Sequence, residues 1–398
     1  MSERLDCRGI ASKCEMRSIL LTLLTDRAAP GGCLGGVGPA TFKPVDVFLA
    51  EVETQAPRTN IIPSGSDLVA FADVHGDFLA LLTHLHFAQV IDTTGKWVGG
   101  NRWVCSTGDW VDRAGRGEFT VDTSHNPREE VDILQYIHAL NLSAQEQGGG
   151  VLFTLGNHEL NRVRAAEINA AGEGHHIGDQ HQGWGDINKL WRPGGEMALY
   201  LARNCPAIAR YHTTLLMHGG LESSFVKEKS QLGDMKGKST PIDMLANMSG
   251  VLYLLGKKPY NENGLLHHVT TTRALSYGDC PTFDVDETLR KTGASQLVVG
   301  HTVQKAGDSP DVCGGKVWRL DFGMSEAFGV QGAVHVLILK RMGQEGCFLS
   351  SYSQFNGERN ETRRDTCITY VDGKIVSREC QMLDRQLKKE ERDVLAAK

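Results

Sequence analysis

The chain has no surplus of basic charge. Its 398 residues carry 42 Lys and Arg against 48 Asp and Glu, a net charge of −6. Neutralising nucleic-acid phosphates needs a basic face, so bulk-charge binding to nucleic acid is excluded. Long apolar runs are also missing. The longest aliphatic stretch, Ile19 to Leu24 with Thr22 inside it, falls far short of the ~18 residues that span a bilayer. No two of the ten cysteines stand at Cys-x2-Cys spacing. A chain this long buries a core without disulfides, so reduced thiols in an intracellular compartment are expected. The charged N-terminus lacks an apolar core, and no secretory signal is expected.

Glycine is plentiful, at 45 of 398 residues, or about 11% against a usual ~7%. Many tight turns or close backbone approaches follow. Residues 1–60 read as a flexible leader, because Pro30-Gly31-Gly32 and Gly35-Gly36-Val37-Gly38 break any periodicity. Arg4, Arg8 and Arg17 leave organelle targeting open, against Glu3, Asp6 and Glu15; otherwise the expected location is cytoplasmic. Residues 61–380 read as one catalytic domain, and 381–398 as a charged tail.

From Leu68 onward one pattern recurs: a short apolar run, then a polar cluster rich in Asp, His and Gly. Leu68 to Phe71 leads into Asp73-Val74-His75-Gly76-Asp77. Trp103 to Cys105 leads into Gly108-Asp109-Trp110-Val111-Asp112-Arg113. Val151 to Leu155 leads into Gly156-Asn157-His158-Glu159. Leu215 to Met217 leads into His218-Gly219-Gly220, and Leu297 to Val299 into Gly300-His301-Thr302. Continuous apolar runs bounded by glycine read as buried strands. After Asn126-Pro127, Val131, Leu134, Ile137 and Leu140 line one helical face. Pro281 through Lys291, ended by Gly293, makes another helix. Later strands are expected over Val334–Leu339 and Phe348–Tyr352, with a hairpin at Asp372-Gly373 joining Ile368–Val371 to Lys374–Val376. The class is α/β, with ligands beyond the carboxyl ends of strands.

Each cluster alone reads as structural. Together they supply Asp73, His75, Asp109, Asn157, His218 and His301, six oxygen and nitrogen donors that suit two adjacent divalent transition metals. Asp109 is expected to bridge both. Two ions about 3.5–4 Å apart acidify a shared water and clamp an in-line displacement, for which phosphorus is the natural electrophile. Arg113 would hold phosphate oxygens bidentately. His158, oriented by Asp112, would protonate the departing oxygen. Gly76, Gly108, Gly156, Gly219 and Gly300 are expected to let the backbone turn the ligands inward. Mn, Fe and Zn all fit this donor set, with Mn2+ favoured.

Asp-x-His-Gly (73–76), Gly-Asp-x-x-Asp-Arg (108–113), Gly-Asn-His-Glu (156–159) and His-Gly-Gly-Leu (218–221) resemble the PPP family of metallo-dependent phosphoprotein phosphatases. Gly300 to Gln304 and Trp318 to Ser325 resemble its Shewanella-like branch. The resemblance spans roughly residues 65 to 340. It implies an αββα sandwich of two mixed sheets, the metal ligands just named, His158 with Asp112 as the acid pair, and a phosphoprotein substrate bearing phosphoserine, phosphothreonine or phosphotyrosine. It implies neither a nucleic-acid nor a membrane partner. The Ser-Ala-Pro-Asn-Tyr-type loop of the eukaryotic Ser/Thr members is missing. Arg273 stands where the branch has its second phosphate arginine, but Thr271-Thr272 lacks the preceding tryptophan. Val303 replaces the second histidine of the Gly-His-x-His in related phosphodiesterases. A diadenosine-tetraphosphate-type hydrolase shares the motifs and stays open, as an alternative alongside a metallo-phosphodiesterase. His-Cys-x5-Arg is absent, so cysteine-based phosphatase chemistry is not expected. His175, His176 and His181 are expected in a loop over the cleft.

Overall fold

A computed structural model describes residues 59–112, 128–171, 189–226, 241–277, 280, 282–305, 308–325, 334–340, 345–356, 360–371 and 374–377. Outside them lie the expected leader apart from Thr59 and Asn60, the tail at 381–398, Arg113, the His175-to-His181 loop and the turn at Asp372-Gly373.

One sheet runs β13-β12-β11-β10-β2-β3-β4. Its parallel half holds β2 (Leu68–Phe71), β3 (Trp103–Ser106) and β4 (Gly150–Phe153). Its antiparallel half holds β10 (Val334–Lys340), β11 (Glu345–Asn356), β12 (Asn360–Val371) and β13 (Lys374–Ser377). The second sheet runs β1-β5-β6-β7-β9-β8. It is built from β1 (Ile61–Ile62), β5 (Ile208–Tyr211), β6 (Thr214–Met217), β7 (Gln296–Val299), β8 (Asp311–Val312) and β9 (Val317–Arg319). Here β5 and β6 form an antiparallel hairpin, while β6, β7 and β9 run parallel.

The side-chain alternation of the strands makes the layers. Leu68, Ala70, Cys105 and Leu152 face Ala209, Leu216, Val298 and Trp318 across the two sheets in one buried cluster. The alternate residues Val69, Phe71, Val104, Val151 and Phe153 join a second cluster with Leu81 and Leu85 of α1 (Phe78–Phe87) and with Ile133, Leu134 and Ile137 of α2 (Arg128–Gln145). Burial of both faces explains the unbroken apolar runs. Among the described residues, the remaining α-helices are α3 (Asn157–Ala171), α4 (Glu196–Asn204), α5 (Pro241–Leu254), α6 (Leu265–Thr271) and α7 (Thr282–Thr292). The result is the expected αββα sandwich.

Both expected helices form, and Val131 is half-buried where its partners Leu134, Ile137 and Leu140 are buried. The expectation of reduced thiols is corrected in part. Cys280 and Cys313 form a disulfide with Cα atoms 5.1 Å apart, inside the span a bridge requires. Cys105, Cys205 and Cys347 are buried. Among the described residues, no helix is long and apolar enough to cross a membrane.

Candidate active site

The ligand-bearing loops leave the carboxyl ends of five strands, three in one sheet and two in the other. Backbone bonds lace them together. The His75 N–H donates to Asp109 O at 2.8 Å, the Gly76 N–H to Trp110 O at 2.9 Å, and the Gly300 N–H to His218 O at 2.8 Å. The chain turns so tightly that several functional residues take left-handed backbone themselves. The φ values are 46° at His75, 51° at Asp109, 67° at Asp112 and 69° at His301. Of the glycines expected to turn the ligands inward, Gly76 and Gly108 do take left-handed backbone, at φ 65° and 99°, and share that task with the functional residues. Gly156 and Gly300 mainly supply room, since a Cβ there would collide with Asp109 Oδ1 and Asp73 Oδ1 respectively.

Asp109 sits at the centre. Its Oδ2 is 3.0 Å from His218 Nε2, 3.7 Å from His158 Nε2 and 3.8 Å from His75 Nε2. Its Oδ1 accepts the His158 N–H at 2.9 Å. Two groups with donors within 4.8 Å of one another share it: His75, Asp109 and His158, and Asp109, His218 and His301. Asp73 completes one side, 3.9 Å from His75 Nε2 and 3.8 Å from His218 Nδ1, and accepts the His301 N–H at 3.0 Å. Asn157 Oδ1 lies 3.0 Å from His218 Nε2. All six donors singled out from the sequence meet here.

Two of the histidines have one ring nitrogen fixed by a backbone carbonyl. His218 Nδ1 donates to Thr107 O at 2.8 Å, which leaves Nε2 facing Asp109 and Asn157. His301 Nε2 donates to Thr271 O at 3.0 Å, which leaves Nδ1 as its lone-pair atom. A carbonyl on one ring nitrogen that fixes the other as ligand is the usual arrangement around a bound metal. Charge tells the same story. Burial pushes Asp73 well above the usual carboxylate range, helped by Asp321. Burial also acts upward on Asp109, but His218 and His158 outweigh it and hold Asp109 well below that range. Burial works against charge on His218, yet Asp109 and Asp73 lift it to about 10. His301, desolvated and beside His218, falls to about 3. Buried carboxylates this crowded demand positive charge, and divalent ions fit that demand.

His158 Nδ1 binds Asp112 Oδ2 at 2.7 Å, as an acid held by its orienting carboxylate would. Arg273 reaches the rim: Nη1 donates to His301 O at 2.8 Å and to Thr302 Oγ1 at 2.9 Å, with the Tyr277 ring 5.9 Å from its Cζ. Two residues given no role by the sequence also belong to the site. Glu159 is fully buried and accepts the backbone N–H groups of Asp109, Trp110, Val111 and Gly156 at 2.7–3.2 Å. Burial, with Asp109 second, raises it to about 7. Asp321, at the end of β9, is buried beside Asp73 and accepts the Gly323 N–H at 2.9 Å. Their signals were present: Glu159 closes the Gly-Asn-His-Glu motif, and Asp321 stands at a strand end like the others.

The sequence profile of the calcineurin-like phosphoesterase family matches residues 67–305. Shewanella-like protein phosphatase 2 of Arabidopsis thaliana is 23% identical over 325 residues, which cover 69% of this chain and 75% of that one. Shewanella-like protein phosphatase 1 of Plasmodium berghei is 25% identical over 268 residues, covering 65% and 67%. Both agree with the branch the motifs resemble. Among solved structures, the cold-active protein-tyrosine phosphatase of a psychrophilic Shewanella species superimposes with a TM-score of 0.51 at 22% identity. It covers 85% of this chain and 88% of the other, and shares the fold.

Proposed function

The chain belongs to the calcineurin-like phosphoesterase family, and from that premise we propose a metal-dependent protein phosphatase with its catalytic domain over residues 61–380. Asp73, His75, Asp109, Asn157, His218 and His301 would hold two divalent ions, Mn2+ by preference and Fe or Zn acceptably. Bound there, the ions would neutralise phosphate charge and supply an acidified water for in-line attack. The side chains do the rest. Arg113 and Arg273 bind phosphate oxygens; the Nη1 of Arg273 is already engaged, and its Nε and Nη2 serve the substrate. His158 offers Nε2 to the departing oxygen, because Asp112 occupies its Nδ1.

The single observation that carries this reading is the placement of Asp109 between His75 on one side and His218 and His301 on the other, since one carboxylate between two cation sites suits a phosphoryl centre. The names of the relatives support a phosphoprotein substrate over a dinucleotide. An intracellular location is our reading; the Cys280–Cys313 bridge favours an organelle reached through the leader over the reducing cytosol. The test is metal analysis of the purified chain with a panel of phosphoserine, phosphothreonine and phosphotyrosine peptides. Diadenosine tetraphosphate and a p-nitrophenyl phosphodiester stand as rivals. Turnover of at least one phosphopeptide should exceed both rivals by roughly tenfold or more in kcat/KM. Preference for the dinucleotide or the diester would overturn it.

A further inference from the structure

Outside the strand-end clusters, one largely buried ion pair touches the acid pair directly. Glu130, in the first turn of α2, is 1% exposed. Its Oε1 accepts the backbone N–H of Asp112 at 2.7 Å and Arg162 Nη2 at 2.7 Å. Arg162 lies four residues after His158 on α3, so the two side chains leave the same helix face one turn apart. The contacts close a ring: His158 Nδ1 to Asp112 Oδ2, Asp112 N–H to Glu130, Glu130 to Arg162, and Arg162 back through the helix to His158.

We propose that Glu130 and Arg162 are a positioning pair that holds Asp112, and through it His158, in line for proton transfer. This rests on the reading of His158 and Asp112 as the acid pair. Two observations point that way. Asp112 is held at φ 67°, a conformation a non-glycine residue keeps only when its surroundings hold it there. The carboxylate on its N–H makes that hold charge-assisted, and Arg162 cancels the repulsion that Glu130 would otherwise exert on the Asp112 carboxylate. The second is the choice of ions. A buried ion pair is a weak way to join two helices, since apolar residues of similar volume do as well or better. Placing Asp112 is a task an apolar pair could not perform.

The test uses the metal-loaded full chain and a double-mutant cycle. Glu130→Ala, His158→Asn and the double variant are assayed on a phosphoserine peptide, whose alkoxide is a poor leaving group, and on p-nitrophenyl phosphate, which needs little protonation. His158→Asn should lose roughly a hundredfold or more in kcat on the peptide and far less on the aryl ester. Glu130→Ala should lose about tenfold on the peptide and be nearly unchanged on the aryl ester. Glu130→Gln, which keeps an oxygen acceptor, should recover most of the loss. The double variant should be no slower than His158→Asn, because the two act as one unit. Metal content should stay at wild type throughout. If Glu130→Ala does not fold, Arg162→Ala takes its place in the cycle. If His158→Asn slows both substrates equally, the acid reading and this inference fall together. If His158→Asn shows the split but the Glu130 losses are equal on both substrates, or multiply with those of His158→Asn, only this inference falls.

Discussion

Asp109 carries more of the site than any other side chain, because one of its oxygens faces three imidazoles while the other takes a backbone N–H. Removing its charge by Asp109→Asn keeps shape but would leave the proposed cations under-neutralised. We expect kcat to fall by at least about a hundredfold and metal content to drop, with the circular-dichroism spectrum unchanged. Two ions bound at normal turnover would remove Asp109 from the bridging position. Glu159 shows a different kind of residue effect. Its carboxylate accepts four backbone N–H groups and so ties the Asp109 loop to the start of α3.

At the scale of elements, the site depends on how closely strand ends and helix starts can approach. The start of α3 lies against the loop after β3, and the loop after β7 lies against the end of β2; neither meeting leaves space for a methyl group. Gly300→Ala would press on Asp73 Oδ1 and on Thr107 Oγ1. Overpacking of this kind costs about 1–3 kcal/mol. The expected outcome is a folded protein with a lowered melting temperature and a Mn2+ affinity weakened roughly tenfold, by about 1.4 kcal/mol, measured by calorimetric titration. Unaltered affinity would mean Asp73 tolerates displacement. Caps matter too: the Asp77 side chain accepts the Ala80 N–H at 3.0 Å and starts α1 just after the first ligand loop.

For the whole molecule, the Cys280–Cys313 bridge closes a separation of 33 residues between the segment after Arg273 and the turn before β9. Constraining the unfolded chain over such a loop stabilises by about 3–4 kcal/mol on the chain-entropy model. Urea unfolding with and without dithiothreitol should show that loss, and Cys280→Ser should abolish the difference. A curve insensitive to reductant would mean the bridge adds nothing. The buried charges predict a pH dependence as well. His218 rests at about 10 against an ordinary 6.5, so the metal-free folded chain keeps a proton that the unfolded chain has released above 6.5. That contribution is complete below pH 6.5 and is lost as pH rises through about 10. Glu159, raised from 4.5 to about 7, acts in the same sense over its lower window. His84 at about 4 and His301 at about 3 are held low by burial and matter only below 6.5. Metal-free protein should therefore destabilise between pH 7 and 9, by up to about 1.4 kcal/mol per unit. Metal-loaded protein should vary less, the ions having replaced the proton. Melting curves at each pH with and without chelator decide it; a flat metal-free profile would show that His218 holds no extra proton.

The sequence by itself determined the strand ends and the donors on them, because a doubly buried strand needs an unbroken apolar run and a ligand loop needs polar residues immediately after it. Leu68–Phe71 followed by Asp73 and His75 is legible on both counts. The two-sheet sandwich came only from the family resemblance. Most helices were not legible: α1, Phe78–Phe87, is apolar nearly all round, and α3, Asn157–Ala171, is mostly polar, so neither shows a clean stripe. Tertiary structure alone decided which residues support the donors. The His301 N–H meets Asp73 across 228 residues, Trp110 meets Glu159 across 49, and Cys280 meets Cys313 across 33. A local pattern records what one element must bury. It holds no record of which loop from the other sheet arrives opposite, and that arrival is what turns Glu130, Glu159 and Asp321 from ordinary acids into parts of a site.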